Sequence, residues 1–75
     1  MRHMNDKELE FAIFCIENIA IRLGVTGTYI YDVFTKKSDI LYGYIVKNYG
    51  VLHTQDKEYI VDDILEVARQ RGIEL

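Results

Sequence analysis

Apolar residues in the first third of the chain recur at three- and four-residue spacing. Leu9, Ala12, Ile13, Ile16, Ile19, Ala20 and Leu23 share one helical face. The pattern predicts a helix from about Asp6 to Leu23. Asn5 and Asp6 are capping residues, and Glu8 sits in the first turn, where the helix dipole favours a negative charge. Phe11, Phe14, Cys15 and Ile21 widen the apolar face until it reaches nearly round the helix. Such a helix is either central to a core or keeps one side for a partner. Gly24 closes it, because glycine reaches the left-handed conformation without steric cost.

A second helix is predicted from Gly27 to Lys36, with Thr26 as its cap and Ile30, Val33 and Phe34 as its buried stripe. Ser38 or Asp39 restarts the chain as the cap of a third, from about Asp39 to Val46, whose inward face is Ile40, Leu41, Tyr44 and Ile45. Asn48 and Gly50 break it, and a turn follows from Tyr49 to Gln55. Asp56 caps a last helix with Ile60, Val61, Ile64, Leu65 and Ala68 on one stripe and Asp62, Asp63, Glu66 and Arg69 opposite. Gly72 stops it. No strand-like alternation occurs. The expectation is an all-α, compact bundle of about four short helices, one domain over residues 1–75, with 1–5 disordered and 73–75 frayed.

Between Ile16 and Thr35 the spacing resembles a helix-turn-helix. Ala20 is the small residue that lets a second helix approach, and Gly24, four residues on, permits the tight turn. Val25, Thr26, Ile30 and Val33 supply the apolar, capping and buried positions that follow. These demands are steric and describe packing. A DNA-reading helix also needs side chains that reach base edges, usually Arg, Lys, Asn or Gln. The exposed positions here are Thr26, Gly27, Thr28, Tyr29, Tyr31 and Asp32. The residues available to nucleic acid are Arg22, Thr26, Thr28, Lys36 and Lys37.

Charge sharpens that picture. The net charge is −3, and only residues 18–55 are locally positive, by two charges. The phosphate-neutralising term that dominates DNA affinity is therefore small. Seventy-five residues bound the chain to one small core. The 49% hydrophobic content and the absence of proline argue against disorder. No apolar run is long enough to span a bilayer, no secretory signal is visible, and Met4 offers an alternative start. A lone Cys15 forms no internal disulfide, so a cytoplasmic location is expected.

Candidate chemistry is sparse. No cysteine or histidine has zinc-like spacing, no calcium loop surrounds Asp56 to Asp63, and no phosphate-cradling glycine loop is present. His53 is a partner contact, a general base, or a ring that pins its own turn. No nucleophile lies beside it, and no catalytic residue, metal or cofactor is assigned. The six tyrosines stand out, because tyrosine offers rigid apolar area with a polar tip. Tyr44 suits the core, whereas Tyr29, Tyr31 and Tyr42 lie on faces expected to be exposed. With Phe11, Phe14 and His53 they form the candidate surface for a protein partner or a second copy.

Several stretches carry a resemblance: Leu9 to Glu17, Leu23-Gly24-Val25, Lys37-Ser38-Asp39-Ile40, Leu52-His53-Thr54-Gln55 and Tyr59 to Ile64. Together they resemble a family of short bacterial proteins classed only as a domain of unknown function. The family has no established activity and no catalytic residues to carry over. Its gene neighbourhood implies an antitoxin-like or accessory role beside ADP-ribosyltransferase-like proteins.

Overall fold

The structure, a computed structural model, describes residues 3–75. Its elements run α1 (Asp6–Leu23), α2 (Gly27–Thr35), a π-helix (Leu41–Val46), α3 (Tyr49–Leu52) and α4 (Lys57–Gln70). The described residues are all-helical, with no strand.

Local side-chain chemistry sets the helix ends. Asn5 and Glu8 form a reciprocal capping box: Asn5 Oδ1 accepts from the Glu8 amide at 2.8 Å, and Glu8 Oε1 accepts from the Asn5 amide at 3.0 Å. Thr26 and Asp56 cap α2 and α4 by accepting from the amides of Tyr29 and Tyr59. At the far end of α1, Gly24 turns left-handed at φ 69°. The Val25 amide then reaches the Ala20 carbonyl and the Gly24 amide the Ile21 carbonyl, which is the Schellman closure. Gly72 repeats this at the end of α4, where Ile73 bonds back to Ala68 and packs on the core. Asn5 caps α1 and Met4 packs against the core, while residues 1 and 2, part of the 1–5 segment expected to be disordered, lie outside the described residues.

The core gathers Phe11, Ala12, Cys15, Ile16, Ile19 and Ala20 from α1 with Ile30, Val33 and Phe34 from α2. Ile40, Leu41, Ile45 and Leu52 come from the middle, and Ile60, Val61, Ile64 and Ala68 from α4. Helix α1 touches α2, the π-helix and α4, which makes it the central element. Its buried side is not the stripe that spacing alone suggests. Leu9, Ile13 and Leu23 are exposed, whereas Phe11 and Cys15 are buried. Desolvation pushes the Cys15 thiol up to about 12 from 9.0.

Two features of the middle segment depart from expectation. Residues 41–46 wind as a π-helix rather than an α-helix, and the expected turn after Asn48 contains the short helix α3. Ser38 links α2 to this region by donating to the Val33 carbonyl at 2.8 Å and accepting from the Ile40 amide at 3.4 Å. Gly43 lies so close to Asp39 that a Cβ there would fall 2.5 Å from Asp39 Oδ2. Tyr44 is half-buried rather than core. Its hydroxyl donates to Asp63, and its ring lies under the Arg71 guanidinium at 5.9 Å. Burial first, and then the bond to Asp63, push this phenol up to about 12.

Candidate functional site

The outer side of α1 faces solvent with apolar residues still on it. Leu9, Ile13, Phe14 and Ile21 are exposed by 45, 47, 38 and 77%. Scattered exposed aliphatics are ordinary on a protein surface. Four on one 18-residue helix are more than scattered single residues, and Ile13 and Phe14 are neighbours in sequence at its middle.

Two open grooves lie beside Phe14 and Ile13. The larger, about 560 Å³, lies between the first turns of α1 and the α3–α4 corner. Phe11, Phe14, Tyr49, His53 and Ile60 line it, with Lys7, Glu10 and Gln55 supplying its polar parts. Its aromatic wall is ordered by ring contacts. Phe11 meets the edge of Tyr49 at 5.5 Å and lies 6.3 Å from Phe14, while His53 stacks on Tyr49. The smaller groove, about 410 Å³, lies between α1 and the start of α2. It is lined by Ile13, Ile16, Glu17, Gly27, Thr28 and Tyr31.

The residues expected to meet a protein partner divide between these places. Phe11, Phe14 and His53 come together in the larger groove and Tyr31 lies in the smaller. Phe11 is mostly core, however, and presents little surface. Tyr29 is exposed. Tyr42 is not on an open face as expected; it is half-buried and packs against the core. Spacing gave no notice of Ile13 as a surface residue or of Tyr49 as the floor beneath His53.

The nucleic-acid candidates are not grouped into a free basic surface. Arg22 is forked between two carboxylates of α4, with Nη1 on Asp62 at 2.7 Å and Nη2 on Glu58 at 2.8 Å. Lys36 pairs with Asp32 at 3.4 Å. Thr26 uses its hydroxyl as the α2 cap, and Thr28 lines the smaller groove. Lys37 is exposed. Among the described residues, no group of three or more His, Cys, Asp or Glu is placed to hold a metal ion, and no helix is long and apolar enough to cross a membrane.

The fold and this surface define a small all-helical protein with an uncovered, groove-flanked helix face. A family model described as "Protein of unknown function (DUF3791)" matches residues 10–71, and the chain belongs to that family. No curated protein and no solved structure matches it.

Proposed function

We propose that the chain is a non-catalytic protein-binding module that docks its partner along the outer side of α1. The exposed apolar side chains of α1, Leu9, Ile13, Phe14 and Ile21, carry this reading. A chain that buries Phe34, Ile19 and Ile30 completely does not lack the means to form a core. Leaving these four in water forgoes roughly 1 to 3 kcal/mol for each side chain that a partner would cover. The partner class is the one the family resemblance implies, an ADP-ribosyltransferase-like protein, with this chain in an antitoxin-like or accessory role. Binding to duplex DNA draws less support, since Arg22 and Lys36 already have carboxylate partners.

Co-expression with such a protein, followed by size exclusion at micromolar concentration, tests the reading. Co-elution is expected, and its loss is expected when Ile13→Asp and Phe14→Asp are combined. Both positions are solvent-exposed, so circular dichroism of the variant should match that of the parent. Separate elution of the two parent proteins would count against the proposal.

A further inference from the structure

The outer side of α1 has a charge pattern as well as an apolar one. Glu10 belongs to the larger groove and Glu17 to the smaller. Phe14 and Ile13 lie between them, in those same two grooves. Glu10 and Glu17 are exposed, and neither has a hydrogen-bond or ion-pair partner among the described residues. Seven residues apart, they are two helical turns or about 10.5 Å from each other along the axis. Each stands about one turn from Phe14 or Ile13.

We infer that the occupant of this face is an amphipathic helix with two basic residues about two turns apart, bracketing aliphatic side chains that enter the grooves beside Ile13 and Phe14. The inference rests on the reading of α1 as a docking face and names the chemistry of what docks. A helix laid along α1 fills both grooves at once, which is the helix-in-groove mode of recognition. Its basic residues would meet carboxylates that have no other partner, and opposite charges at such a rim fix register and orientation.

The same charges argue against a second copy of this chain. Two α1 helices side by side and antiparallel, centred on Ile13 and Phe14, set each Glu10 against the other copy's Glu17. A parallel pair sets each glutamate against itself. Both arrangements bring like charges together over the apolar contact, which is unfavourable. Nucleic acid is repelled for the same reason.

The probe is a pair of synthetic Ala- and Leu-rich peptides of about 18 residues, long enough to hold helical structure. They are identical except for Arg or Glu at two positions seven residues apart that bracket a leucine pair. Titration into the isotopically labelled chain, followed by amide chemical shifts, is expected to show the Arg peptide binding along α1 and the start of α2. Glu10→Lys with Glu17→Lys should weaken that peptide about tenfold at low salt, with the difference narrowing at high salt as screening grows. The same double variant should gain affinity for the Glu peptide. Equal binding of the two peptides, insensitivity to the charge swap, shifts confined to another face, or no binding at millimolar peptide would overturn the inference. So would self-association of the parent chain through this face in sedimentation equilibrium. The docking reading itself stands or falls separately. If Ile13→Asp with Phe14→Asp abolishes co-elution with a partner but the charge swap does not alter it, the face is right and the chemistry proposed here is wrong.

Discussion

The imidazole of His53 lies flat on the phenol ring of Tyr49, with 4.4 Å between centroids and 5° between planes, and its Nδ1 is 2.7 Å from the Tyr49 carbonyl oxygen. A carbonyl only accepts, so Nδ1 carries the proton and donates, and in the neutral ring Nε2 is left as an acceptor. Both contacts join residues four apart, so the ring ties the end of α3 to its start. His53→Ala should lower stability by about 1 kcal/mol, the usual size of one ring contact or one net hydrogen bond. His53→Phe keeps a stacking ring and should recover part of the loss. Urea denaturation of the three proteins measures this, and an unchanged midpoint for His53→Ala would deny the ring a structural part.

Gly24 and Gly50 predict opposite outcomes for the same substitution. A Cβ at either position meets nothing within 4 Å. At Gly24 the left-handed φ of 69° makes any side chain strained, so Gly24→Ala should destabilise by about 1 to 2 kcal/mol. Gly50 lies inside α3 and has no positive φ, so Gly50→Ala should stabilise by up to about 1 kcal/mol. Thermal melts of both variants check the signs.

The buried thiol of Cys15 predicts a loss of stability in alkali. Folding raises its pKa from 9.0 to about 12 through desolvation. Below 9.0 both states hold the proton and the full stability is present. Between 9.0 and about 12 the unfolded chain releases a proton that the folded chain keeps, so stability falls as pH rises. One proton corresponds to a slope of about 1.4 kcal/mol per pH unit. Cys15→Ala lacks this contribution. The stability difference between parent and variant should therefore shrink across that interval, while tyrosine ionisation, common to both, cancels. A difference independent of pH would refute the assignment.

Ile19 and Ile21, two residues apart on α1, should respond very differently to change. Ile19 is fully buried, and Ile19→Ala should cost about 3 kcal/mol or more, enough to leave so small a domain largely unfolded. Ile21 is 77% exposed, and Ile21→Lys should stay within about 0.5 kcal/mol of the parent. Midpoints from guanidinium titrations separate the two.

Helix ends and apolar stripes were legible where a single residue decides the matter. Asn5, Thr26 and Asp56 start helices, and Gly24 and Gly72 end them, because capping is a local bargain between one side chain and one or two amides. The stripes of α2 and α4 were legible because each has one apolar side. Helix α1 has apolar residues nearly all round, so its spacing carries no phase. Packing by α2 and α4 decides that Phe11 and Cys15 turn inward while Leu9 and Ile13 turn outward. The fork of Arg22 onto Glu58 and Asp62 joins residues 36 and 40 positions apart, and no local pattern encodes it. The aromatic groove was half legible. Phe14 and His53 stood out by type, but Tyr49 counted only as a turn residue until α3 placed it under the ring of His53.

The π winding at Leu41–Val46 also bears on how chain length can vary within this fold. A π turn holds one residue more than the α turn it replaces. Deleting one residue there gives the backbone a route back to ordinary α geometry, whereas adding one has no such outlet. Because the π winding uses one more residue to cover about the same rotation, the deletion leaves the chain downstream close to its original phase relative to Ile40, and Tyr49 and His53 are the first side chains beyond it that line a groove. Variants one residue shorter in this segment would keep the caps of α1 and α4 and also keep Tyr49 and His53 facing the recess beside Phe14.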